Sequence, residues 1–198
     1  MPLWDSAKGD VPYNFLPNTT ATQFGSGTSA MPEEGNIYRL VSGTGVQPAS
    51  TGGDIVLAVF SIPANSFDVS GRGINIIAQG SLGANANTKT VKLFFNPTTA
   101  VVGSAVSGGT AIATTGAVTT NGGGFAVEAN VFKYGVAGSN TQLAIHQAAQ
   151  TGATVSALLA PQNTTAVESA PILVAVTGNA ATAVGDISLS FVEINAMN

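Results

Sequence analysis

Cysteine is absent from the 198 residues, so neither disulfides nor thiolate metal sites can hold the fold, and a hydrophobic core must carry the stability alone. Histidine occurs once, at His146, and Lys, Arg, Asp and Glu together make up only 8% of the chain, against about a quarter in ordinary soluble domains. Six basic residues against ten acidic ones leave a net charge of −4, with no basic cluster. Nucleic-acid binding draws most of its affinity from neutralising phosphates, so this balance speaks against DNA or RNA as a partner. The opening residues, Met1-Pro2-Leu3-Trp4-Asp5-Ser6, have neither a basic region nor a long apolar stretch behind them. They read as neither a secretory signal nor a membrane span, and the expectation is a protein made in a cytoplasm, with no membrane partner.

The same scarcity bears on chemistry. There is no G-x-S-x-G nucleophile elbow, and His146 stands alone among Ala144, Ile145 and Gln147, where a structural imidazole fits better than a general base. The acids Asp54, Asp68, Glu128, Glu168, Asp186 and Glu193 are isolated in sequence, and Glu33-Glu34 is the one adjacent pair, read as a solvated hinge. No H-E-x-x-H, EF-hand or phosphate-loop pattern is present, and the Gly-rich stretches precede strands and not helices. The reading is therefore not an enzyme, with no catalytic, metal or cofactor-binding residue assigned and no cofactor expected. Tyr38-Arg39 and Phe132-Lys133-Tyr134 are the pairings of aromatic and charge that suit a carbohydrate.

What is abundant is hydrophobic and small: 44% of residues are apolar and 24 are glycine. Runs at 37–41, 55–62, 74–82, 90–95, 125–134, 172–177 and 187–194 favour Val, Ile, Phe and Thr, and Gly, Asn, Pro or Asp separates them. In the run 90–95, Val91, Leu93 and Phe95 share one face, with Thr90, Lys92 and Phe94 on the other. Residues 97–122 read as one or two small-residue strands with loops. Hairpins are expected through 83–87 and 178–185, where Gly and Asn accept the positive φ of turns. Residues 141–150 are the one place where a helix competes, because Leu, Ala and Gln favour it. The expected fold is all-β, an antiparallel β-sandwich of jelly-roll-like type over residues 36–198.

Residues 1–35 differ in kind. Pro2, Pro12, Pro17 and Pro32 and scattered aromatics follow no period of 2 or 3.6, so this stretch reads as an extended N-terminal arm. Its Trp4, Tyr13, Phe15 and Phe24 need an apolar surface supplied by the body or by another molecule. Within the body, Ile172-Leu173-Val174-Ala175-Val176 is apolar on both faces of one strand, which requires cover on both sides, from the sandwich or from a neighbouring subunit. Ile172, Leu173, Val174 and Val176 are accordingly candidates for a subunit interface.

The stretch Phe60-Ser61-Ile62-Pro63-Ala64-Asn65-Ser66-Phe67, then Gly73-Ile74-Asn75-Ile76-Ile77, then Ala84-Asn85-Ala86-Asn87-Thr88-Lys89-Thr90 through Phe95, and the close from Gly185-Asp186-Ile187 to Ile194, resembles a β-sandwich module of tailed-bacteriophage virion proteins. The resemblance covers roughly residues 54–195. It implies a jelly-roll-like protomer, usually trimeric, serving as a capsid decoration (cement) protein, a head fibre or a tail-fibre tip. Fibres need a shaft, and residues 1–35 hold neither heptads nor collagen-like repeats. The favoured expectation is thus a homotrimeric decoration protein on the capsid surface that bridges major capsid proteins. The alternative is a head- or tail-fibre receptor-binding module.

Overall fold

The computed structural model describes residues 35–197; Trp4, Tyr13, Phe15, Phe24 and the pair Glu33-Glu34 lie outside them. The described chain forms β1 (Gly35–Val46), β2 (Ile55–Ile62), β3 (Gly73–Leu82), β4 (Lys89–Phe95), β5 (Thr110–Thr114), β6 (Gly124–Lys133), β7 (Gln142–Thr151), β8 (Thr154–Val155), β9 (Gln162–Thr164), β10 (Ile172–Ala180) and β11 (Ile187–Met197), with a single 3-10 turn at Val184–Asp186. A larger sheet runs β1-β11-β3-β6-β7, with β8 and β9 on the far side of β7, and a smaller one runs β2-β10-β4-β5. All pairings are antiparallel.

Setting aside β7, β8 and β9, which form an insert, the other strands pair first with last, second with second-last, and so inward to the β4–β5 hairpin. That nested pairing is the winding of a jelly roll, so the fold is an all-β antiparallel sandwich. Val91, Leu93 and Phe95 point into the core, which they share with Ile74 and Ile76 of the larger sheet and Val174 of the adjacent β10. Phe67 stands edge-on to Phe95. Each such fully buried side chain contributes about 1.5–3 kcal/mol, and this supplies the stability that no disulfide provides.

Nesting also corrects the two expected hairpins. β3 and β4 lie in different sheets, as do β10 and β11, so the turns at 83–87 and 181–186 are corners that carry the chain across the sandwich. The helix-favouring stretch at 141–150 is strand β7. Gln142, Ala144 and His146 alternate inward along it, and its pairing with β6 over nine residue partners outweighs local helix propensity.

The apolar run in β10 is covered from within the chain. Ile172, Val174 and Val176 face the core and are fully buried, so they offer no surface to a neighbouring subunit. On the opposite face, Ala175 is also fully buried. The β4–β5 connection, residues 96–109, leaves beside Leu173, whose carbonyl accepts from the Asn96 N–H. It then reaches the free edge of β2, where Gly103 and Ser104 bond the Val56 backbone, and so crosses outside the small sheet. Leu173 alone of the four candidates stays half-exposed.

The sandwich has two ends. At the arm end lie Gly35, where residues 1–34 join, the β6–β7 turn and the starts of β3 and β10; at the corner end lie the 83–87 and 181–186 turns.

Candidate functional site

Each end is closed by a lysine that points inward. At the arm end, strand alternation places Phe125, Val127, Ala129 and Val131 in the core, and Lys133 follows them. Its ammonium is fully buried and donates to Glu168 Oε1 (2.6 Å), Ser139 Oγ (2.7 Å) and Thr141 Oγ1 (3.1 Å). Glu168 also accepts from Gln142 Nε2 (2.7 Å) and from the backbone N–H groups of Gly138 and Thr141. Gln142 in turn holds Ala166 and Thr164. A buried ion pair is tolerable when its remaining lone pairs and protons are satisfied, and here they are.

This network ties together loops distant in sequence. The Asn65 N–H donates to the Glu168 carbonyl (2.6 Å), the Gly71 N–H to the Lys133 carbonyl (2.8 Å), and the Ser70 hydroxyl reaches the Tyr134 carbonyl (3.4 Å). The loops at 63–72, 134–141 and 165–171 thereby form one fixed surface. On it stand Val136 (77% exposed), Val69 (54%), Tyr134 (52%) and Val167 (52%). These four side chains are exposed on loops that the Lys133–Glu168 network joins.

At the corner end, Lys89 is fully buried and its ammonium sits among the carbonyls of Asn85 (2.7 Å), Asn87 (3.0 Å) and Thr120 (3.2 Å). Beside it Asp186, also buried, accepts from Asn85 Nδ2 (2.5 Å), Asn87 Nδ2 (2.9 Å) and the Ala183 N–H (3.3 Å). Burial pushes this carboxyl up, but the donations from Asn85, Asn87 and Ala183 and the charge of Lys89 outweigh it, and the net result is a lowered pKa. The two sheet-crossing corners are thus bolted to each other.

His146 is buried. Its Nδ1 accepts from the Leu159 N–H (2.9 Å), which leaves the ring proton on Nε2, buried and without a partner among the described residues. Burial holds its pKa below the ordinary imidazole value, more than the Ala148 backbone raises it.

The sequence-expected sites scatter. Tyr38 packs edge-on against Phe60 while Arg39 pairs with Glu193. In Phe132-Lys133-Tyr134 the lysine turns inward, Phe132 lies half-buried over Gly73 and Tyr134 is exposed. Neither pairing therefore makes a sugar site. The acids pair with other groups: Asp54 with Lys92, Asp68 with Arg72, Glu168 with Lys133 and Glu128 with Asn75. Glu193 and Glu128 do share one face, in register on either side of Ile77, about 10 Å apart by strand spacing. Among the described residues no group of three or more His, Asp or Glu side chains converges to hold a metal.

The arm-end network was missed in the sequence, although a signal existed. Counting alternate residues from Val127 puts Lys133 in the core, and an inward lysine demands a buried acceptor. No protein-family model, no curated protein and no solved structure matches this chain.

Proposed function

We propose that the chain is a structural protein of a virus particle, a capsid decoration protein that bridges major capsid proteins from the outside and acts as a homotrimer. One observation carries this reading. The exposed side chains Val69, Tyr134, Val136 and Val167 stand on loops at the same end of the sandwich as Gly35, where the aromatic-bearing residues 1–34 join. A fixed contact patch and a long adjoining segment at one end suit a protein that grips a shell at two points, since linked weak contacts combine through high effective concentration. The resemblance of residues 54–195 to phage virion modules supports the same role. For the trimer contact, the half-exposed Leu173 is the member of the expected interface that keeps a surface to offer.

Immunogold labelling of purified particles tests the role. Label over the whole head is the expected result. Label confined to the tail or one vertex overturns decoration in favour of the fibre reading.

A further inference from the structure

We propose that the outer face of the large sheet carries a binding trough for a neutral oligosaccharide, bounded by Gln79 and Gln150 with Phe191 alongside. The strand register sets Phe191, Gln79, Ala126 and Gln150 in one line across β11, β3, β6 and β7. Strand spacing makes that line about 14 Å long. Ala126, the smallest side chain of the row, forms the floor, and glycines 80, 124 and 152 lower the rim toward the corner end. The recess measures about 310 Å³, at the lower end of the range for small-ligand sites. Gly80 cannot carry a side chain, because a Cβ there would lie 2.1 Å from the Ser188 carbonyl oxygen and 2.7 Å from the Phe125 ring.

Two independent irregularities build this row. Along β11, Ile187 and Leu189 face the core, and strict alternation would send Phe191 after them. A register shift between Leu189 and Phe191 turns that ring to the outer face instead. Along β7, Gln142, Ala144 and His146 face the core, and the same parity would bury Gln150. A shift opposite Glu128 and Ala129 turns it outward. Bulges of this kind re-aim side chains beside functional sites; here the β7 bulge turns Gln150 into the recess, and the β11 bulge sets Phe191 opposite Gln79, one strand beyond its edge.

The chemistry of the row selects the ligand class. Carboxamides both donate and accept, as sugar hydroxyls do, and a half-exposed phenyl ring offers a flat face to the C–H side of a pyranose. Gln79 makes no side-chain hydrogen bond among the described residues, and Gln150 uses only its Nε2, on the Gly152 carbonyl (3.0 Å). The neighbouring row carries Glu128 and Glu193, with Arg39 committed to the latter. Anionic chains would therefore be repelled. The trough lies on the broad face near the corner end, so it stays open whichever partner covers the arm end, and it does not depend on the decoration role.

Titration of the full ¹⁵N-labelled chain with maltohexaose, cellohexaose and chitohexaose, with a heparin hexasaccharide as the anionic control, decides the matter. Saturable amide shifts at residues 79–80, 124–126 and 150–152 with at least one neutral oligosaccharide are expected, and their loss in Ala126→Trp, which fills the floor. Should that variant not fold, the Gln79→Ala/Gln150→Ala pair is expected to bind at least about tenfold more weakly. No saturable shift with any neutral probe, unchanged affinity in the variants, or equal binding of heparin overturns the proposal.

Discussion

Lys133 and Glu168 meet at 2.6 Å with both side chains buried, and the loops at 63–72 and 134–141 bond to one or the other of them. Removing one partner strands the other charge in the core. Lys133→Met is therefore expected to cost about 3–5 kcal/mol, whereas Lys133→Met with Glu168→Gln should cost clearly less than the sum of the two single changes. Urea unfolding of the three variants checks this, and additive losses would contradict it.

The exposed surface above the network is expected to behave in the opposite way. Tyr134→Ser with Val136→Ser removes side chains that support no core, so stability should shift by less than about 0.5 kcal/mol each. Binding to undecorated particles should fall at least about thirtyfold if either residue anchors the contact. Sedimentation with purified capsids measures it, and unchanged binding would remove the patch from the docking account.

His146 sets a pH window. It is the sole histidine, and burial lowers its folded pKa, so the unfolded chain binds a proton first as pH falls. Stability should be steady above the ordinary imidazole pKa of about 6.5 and decline as pH drops from there toward the lowered folded value. His146→Phe should flatten that slope, while losing some stability at neutral pH through the unpaired Leu159 N–H. Thermal unfolding between pH 7.5 and pH 5 tests both statements.

Asp186 acts lower on the scale. Its folded pKa is depressed, so its contribution is complete above the ordinary carboxylate range and is lost as pH falls below that range through the folded value. Asp186→Asn is expected to cost about 2–3 kcal/mol at neutral pH, since two carboxamide donors lose a charged acceptor. It should also reduce the extra acid sensitivity below about pH 4. A variant with unaltered acid midpoint would show that Asn85 and Asn87 do not depend on the charge.

Strands were legible in the sequence because their signal is local. The run at 55–62 is β2 to the residue, and the two faces of 90–95 follow from alternation alone. What followed from distant partners was not legible. Whether a strand stays in its sheet after Gly83 or Gly178 depends on which neighbour it finds, so corners and hairpins look alike. The parity of Phe191 and Gln150 is set by bulges against β3 and β6, and neither bulge leaves a local mark. The buried networks of Lys89 and Lys133 were not legible because each includes an acceptor far away in sequence, Thr120 at 31 positions and Glu168 at 35.

The pairing of the first described strand with the last has a practical corollary. Since β1 begins where β11 finishes, a peptide fused after the final strand is delivered to the same end as the N-terminal segment and competes with whatever that end grips. Foreign sequence for display on a particle belongs instead on the opposite tip, at the exposed Thr182 of the β10–β11 corner, where it would face outward from any surface held by the other end.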